Sequence, residues 1–341
     1  MQLQIKGSTM KIKSLRSMLS LAMGGFTATL SLITINAQAQ QTINLGHTLS
    51  DSSHYSVGAD AFKKTLERLS DGEFKILEHP SGSLGGERAM IEGLQIGTVD
   101  LVITSTGPLG NFVPETYVLD LPFLFESYEQ ARCVLDGNIG QSLLDKMGEH
   151  NLVGLAWSEN GFRHITNSKH PIRTPEDLAG LKIRTMENKV HMEAFKQMDA
   201  HPTPMSFPEV FTALQQGTVD GQENPSTVIV ATKFWEVQDY LSLTGHVYSP
   251  AIVLASPILL NDLNDEQRGW FFEAAKASVA ATRTEVSRLE LDGVKLLRDK
   301  GMEVETDIDK APFQKAAEPA YKIYTDQYGS KMLGLIQASD C

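Results

Sequence analysis

The chain has 341 residues, two cysteines, 41% hydrophobic residues and a formal net charge of −12, from 30 Lys+Arg against 42 Asp+Glu. That length suits one large or two ordinary domains, with enough core to fold without a metal or a disulfide. The acidic balance excludes a general nucleic-acid binder and a protein held by charge to an anionic membrane, and the ordinary composition excludes disordered and fibrous classes.

Residues 1–39 hold Lys6, Lys11, Lys13 and Arg16 with no acid, then an apolar stretch over 18–35, then Ala37-Gln38-Ala39. This is the layout of a cleaved secretory signal peptide, and it places the mature chain in the periplasm of a Gram-negative cell or in the extracellular space. The mature balance is 26 Lys+Arg against 42 Asp+Glu, or −16. Residues 42–46 read as a strand, 57–69 as an amphipathic helix ending at Asp71-Gly72, and 74–77 as a second strand. A Gly-rich loop, 81–86, leads into a helix over 87–96, and a strand follows over 99–104. This alternation predicts a parallel-type α/β sheet. Cys133 falls in a helical pattern and Cys341 is the last residue. Export permits a disulfide, but a buried, unpaired Cys133 is the expectation.

The pattern then echoes itself. Leu94-Gln95-Ile96-Gly97-Thr98-Val99-Asp100 returns as Leu214-Gln215-Gln216-Gly217-Thr218-Val219-Asp220, six of seven positions identical. Both read as helix end, glycine cap and strand start, which predicts two lobes of similar plan with a ligand cleft between them. Thr174-Pro175-Glu176-Asp177 and Ser206-Phe207-Pro208-Glu209 read as capping boxes. The strand over 181–185 sets Lys182 and Arg184 on one face. A helix is expected over 187–198, and buried strand and turn over 247–260. The helical pattern over 265–300 would span about 54 Å at ~1.5 Å per residue. That exceeds one lobe, so it kinks or bridges both.

Catalytic signatures are missing. The glycine loop lacks the Gly-Lys-Ser/Thr of a phosphate loop, and there is no His-Glu-x-x-His or Gly-x-Ser-x-Gly. His47 and His54 have no further ligand beside them. The expectation is a binding protein, not an enzyme, with no cofactor and no metal. Arg163 and Arg184 lie at strands that should end at the cleft, and a guanidinium fork matches a carboxylate. A structural salt bridge is the other fate of each arginine. Phe207 at a helix start is more often core than a stacking platform, and Asn224 could be only a turn residue.

At these residues the chain resembles the periplasmic solute-binding proteins of TRAP (tripartite ATP-independent periplasmic) transporters, the DctP-type family. The matching segments include Ser83-Leu84-Gly85-Gly86-Glu87-Arg88, Leu119-Asp120-Leu121-Pro122-Phe123, Asn160-Gly161-Phe162-Arg163 and Gly180-Leu181-Lys182-Ile183-Arg184. Pro202 to Val210 and Gly217-Thr218-Val219-Asp220-Gly221-Gln222-Glu223-Asn224-Pro225 continue the match. The resemblance implies an α/β, two-lobed periplasmic binding-protein fold with a long hinge-spanning helix. The first lobe would lie mainly in 40–160 and the second mainly in 161–250, with 251–341 returning to contact both. It further implies a monomer that traps an organic acid and hands it to TRAP permease subunits. Carried over, Arg184 is the main carboxylate clamp, Arg163 a second cation, Asn224 a carboxylate contact and Phe207 a pocket wall. Glu87, Ser105 or Thr106, and Glu187 would meet the rest of the ligand, with His54 and Arg88 nearby. Ser105 and Pro108 depart from the acid and arginine of sialic-acid binders. The expected ligand is therefore a sugar acid, a hexuronate such as glucuronate or galacturonate, ranked above a C4-dicarboxylate. A sensor built on the same lobes and a secreted sugar-acid enzyme are the rivals.

Overall fold

Side-chain alternation along short strands builds a sheet with a core on each face. In β3 (Leu101–Ser105), Leu101 and Ile103 enter one hydrophobic cluster and Val102 the opposite one, as the two-residue period of a strand requires. The computed structural model describes residues 40–341. The leader expected over 1–39 lies outside the described residues.

The other strands are β1 (Gln41–Gly46), β2 (Phe74–His79), β4 (Val153–Asn167), β5 (Lys182–Thr185), β6 (His201–Pro204), β7 (Gly221–Pro225), β8 (Tyr240–Ala255) and β9 (Glu303–Glu305). Their order is β2-β1-β3-β8-β4-β7-β5-β6, with β9 on β8. β1 runs parallel to β2 and β3, and β5 runs parallel to β6 and β7. These parallel triplets are the frames of two lobes. β4 and β8 are antiparallel to each other and pass through both: β8 meets β3 through Ala251 to Ala255, while β4 meets β7 through Arg163 to Asn167. Their register slips between Glu159 and Gly161, and Gly161 has φ +123, a conformation open mainly to glycine.

Two clusters cover the first lobe, around Met90, Val102 and Leu119 on one face and Ile43, Phe62 and Phe271 on the other. Two cover the second, around Ile183, Phe195 and Phe313 and around Val210, Phe234 and Leu297. The helix Asp265–Asp299 supplies Phe271 to the first lobe and Leu297 to the second. One continuous helix of 35 residues, about 52 Å long at ~1.5 Å per residue, therefore bridges both. The C-terminal helices pack from the helix Lys189–Gln197 of the second lobe across to Asn138–Lys146 of the first.

The echo has a physical cause. Gly97 and Gly217 both end helices with positive φ, +76 and +67. Three residues on, the Asp100 carboxylate accepts the backbone N–H of Asn44 in β1, and the Asp220 carboxylate accepts that of Lys182 in β5, at 2.8 and 2.9 Å. Each repeat fastens a helix exit to the neighbouring parallel strand.

Three expectations are corrected. Cys133 is not unpaired: it forms a disulfide with Cys341 across 208 residues, because the C-terminal helices return to the first lobe. Ser206 makes no side-chain cap, and a 3₁₀ turn, Phe207–Glu209, precedes the helix Val210–Gln215. The helix expected from Glu187 starts at Lys189, because Asn188 is its cap.

Candidate functional site

The two lobes meet over a closed cleft at the carboxyl ends of β3, β5 and β7. Ligands of open α/β sheets bind at that end of the strands. β5 carries Ile183 into the core and Arg184 toward the cleft, where its side chain is only 1% exposed. The Arg184 guanidinium donates from Nε and Nη2 to the Met205 carbonyl, at 3.1 and 2.7 Å. It lies over the Phe207 ring, 5.8 Å from the centroid. Nη1 is buried with no hydrogen-bond partner among the described residues. Burial pulls the guanidinium down to about 10, where it remains a cation at neutral pH. A buried donor left open on a fixed cation is a demand for an anion.

A small cavity lies against it. The first lobe lines this cavity with Thr48, Leu49, Tyr55, Glu87 and Ser105, and the second with Met186, Phe207, Asn224 and Val228, together with Asn160 of β4. A neighbouring small cavity shares Glu87, Arg184 and Met186 and adds Arg88, Pro108 and Glu187. A wider groove among the C-terminal helices is open to solvent and includes no sequence-expected site residue.

Glu87 is the first residue of the helix Glu87–Ile96. Its carboxyl accepts from the Ser105 N–H and the Thr104 hydroxyl, at 3.3 and 3.2 Å. Burial raises its pKa, and Ser105, Arg184 and Thr104 hold it back. Ser105 caps the short helix after β3 and touches Ser249 Oγ at 3.1 Å and Met186 Sδ at 3.4 Å. Asn224 is a residue of strand β7, with its amide carbonyl accepting from Arg163 Nη2 at 3.1 Å.

Arg184, Asn224, Phe207, Glu87 and Ser105 are therefore brought together, with Arg88 and Glu187 beside them. Arg88 is mostly exposed and pairs with Glu187 at 3.6 Å across the cleft and with Glu92. The other three expected residues stand behind the wall. Arg163 donates from Nη2 to the Glu223 carboxylate at 2.9 Å and to Asn224, so its charge is matched and it orients the cleft residue Asn224. Burial opposes ionisation of Glu223, but Arg163 and His246 outweigh it and hold that carboxyl well below its usual range. The Thr106 hydroxyl donates to Asp120 at 2.7 Å. His54 is buried edge-on to Tyr55, and burial lowers its imidazole to about 4, so it is neutral. Sequence reasoning passed over Thr48, Tyr55, Asn160 and Met186. Asn160 and Met186 adjoin the arginine segments, but Thr48 and Tyr55 carry no sequence signal of their own.

Residues 45–327 match the model of the bacterial extracellular solute-binding proteins, family 7. A solute-binding protein of Verminephrobacter eiseniae is 45% identical over 326 residues, 96% of this chain and 97% of that protein. A TRAP periplasmic solute-binding protein of a Polaromonas species, solved with D-erythronate, is 51% identical with a TM-score of 0.87, covering 89% of this chain and all of the other. One from Bordetella, with density assigned to pantoate, is 49% identical with a TM-score of 0.87 and the same coverage. The chain belongs to this family of TRAP DctP-type solute-binding proteins.

Proposed function

We propose that this member of the family captures a short hydroxylated monocarboxylate in the periplasm and delivers it to a TRAP permease, without chemical turnover. The observation that carries the reading is the open, buried Nη1 of Arg184 against a small cavity lined from both lobes. The two similar solved structures hold D-erythronate and density assigned to pantoate, which supports a short hydroxylated acid ahead of the hexuronate expected from sequence. A C4-dicarboxylate is disfavoured as well: the cavity lining opposite Arg184 has no second cation, and the nearby Arg88 is engaged by Glu187 and Glu92.

Capture proceeds by closure. Lobe I (mainly 40–160) and lobe II (mainly 161–250), with 251–341 contacting both, swing together on a carboxylate held by Arg184. The ligand favours the closed state because only there does it touch Arg184 and Asn224 on one side and Glu87 and Ser105 on the other. Residues 1–39 are removed as the export signal, and the mature chain works as a monomer. A thermal-shift panel of D-erythronate, pantoate, glucuronate, galacturonate and succinate tests the reading. Erythronate or pantoate should raise the melting temperature most, since ligands of the folded state stabilise by RT ln(1 + [L]/Kd). A shift confined to succinate would overturn the ligand class, and no shift with any acid would overturn the reading.

A further inference from the structure

Four residues beyond the arginine clamp, one amide joins the two lobes. Asn188 precedes the helix Lys189–Gln197 of the second lobe, and its Oδ1 accepts the backbone N–H groups of Val190 and His191, at 2.9 and 3.0 Å. That cap fixes which end of the amide is oxygen. The Nδ2 end therefore points outward from the helix, and it donates to Asp120 Oδ2 at 2.8 Å and to the Gly107 carbonyl at 3.3 Å. Asp120 closes the turn Pro114–Asp120 of the first lobe, and Thr106 holds its other oxygen at 2.7 Å. Asn188 and Asp120 are both fully buried. Neither lines the ligand cavity.

We propose that Asn188 is a closure-positioning residue, a prealigned latch that engages Asp120 only when the lobes shut and thereby sets how long a bound acid is held. The inference rests on the reading of the cleft as a capture site that closes. When the lobes part, the cap bonds of Oδ1 lie within one helix and persist, whereas both Nδ2 bonds cross to the other lobe and break. The amide thus enters each closure already oriented, with no rotamer search. Opening strands Asp120 without its amide donor, which biases the equilibrium toward closed. Because the latch lies outside the cavity, it acts on dwell time without choosing the ligand.

The test uses Asn188→Ser, which retains a good N-cap but is too short to reach Asp120, and Asn188→Asp, which retains the cap and sets a carboxylate against Asp120. D-erythronate is the titrant, with stopped-flow and an interlobe fluorescence pair as readouts. Asn188→Ser should raise the dissociation rate about tenfold, with the association rate and the ligand-free melting temperature nearly unchanged. Asn188→Asp should lose more, and adding Asp120→Asn to it should recover at least tenfold, because an amide and a carboxylate face each other again. A dissociation rate within twofold of wild type in Asn188→Ser, or no recovery in the double variant, would overturn the latch. If wild type does not bind erythronate, the proposed ligand class fails, while the fluorescence pair still decides the latch. The latched chain should populate the closed state more than Asn188→Asp does, and equal populations would overturn it.

Discussion

Replacing Arg184 with alanine bears most directly on the proposed capture mechanism. Nε and Nη2 are tied to the Met205 carbonyl, which leaves Nη1 and the edge beside it for a ligand carboxylate. In the closed cleft that carboxylate is removed from water, so deleting the arginine leaves a buried anion unpaired. Removing one partner of a buried pair costs about 3–5 kcal/mol. At ~1.4 kcal/mol per decade, the loss is roughly two to three and a half decades in Kd. Arg184→Lys keeps the charge but not the fork and should fall between the two. The ligand-free protein should behave differently. Arg184 has no ion-pair partner among the described residues, and burial disfavours its charge, so its removal should leave the melting temperature unchanged or raise it. Calorimetric titration with D-erythronate beside a ligand-free melt checks both. Binding by folded Arg184→Ala within threefold of wild type would refute the argument, as would a ligand-free collapse of the fold.

Glu87→Gln removes a buried acid from the wall facing Arg184 and should narrow or reverse the preference for monocarboxylates over succinate, measured as the ratio of the two affinities. Gly86→Val should weaken erythronate binding at least tenfold with little change in the ligand-free melt, because a Cβ at Gly86 would meet Ser206 of the opposite lobe; unchanged affinity would show that the lobes do not close so tightly. Reducing Cys133–Cys341 should lower stability by about 2–4 kcal/mol, as a long loop is released, and leave erythronate affinity within about threefold. Asp120 has its carboxyl raised to about 7, chiefly by burial. It therefore contributes stability that is full below its unfolded value and lost as pH rises through about 7. Asp120→Asn should abolish that component, so the melting temperature should fall less from pH 5.5 to pH 8 than in wild type.

What was legible in the sequence was what local chemistry dictates. The two Leu-Gln-x-Gly-Thr-Val-Asp segments announced paired helix-to-strand junctions, since a glycine cap and an aspartate at fixed spacing do the same work in both lobes. Arg184 was legible because strand alternation and the strand's carboxyl end place it. β6 was not, because His201-Pro202-Thr203-Pro204 looks like a loop; its two prolines are tolerated on the outermost strand. The ion pair of Arg163 with Glu223 joins residues 60 apart, and the disulfide joins residues 208 apart. Both depend on how the chain returns, which no short window encodes. The same limit hid Thr48 and Tyr55, which line the cavity only because the fold sets the second lobe against them.

The lobes are joined by two paired strands and one long helix that belong to both, and this has a mechanical consequence. A floppy linker would allow the lobes to twist, slide and gape independently. Strands β4 and β8, hydrogen-bonded to each other across the junction, resist sliding, and the helix Asp265–Asp299 works as a splint along them. The remaining freedom should be close to a single angle, taken up along the stretch of β4 where the register slips, at Gly154–Ala156, Glu159–Gly161 and Arg163–Ile165. Opening then behaves like a torsion spring with one coordinate. Any two labels placed on opposite lobes should report the same relaxation time, whichever pair is chosen.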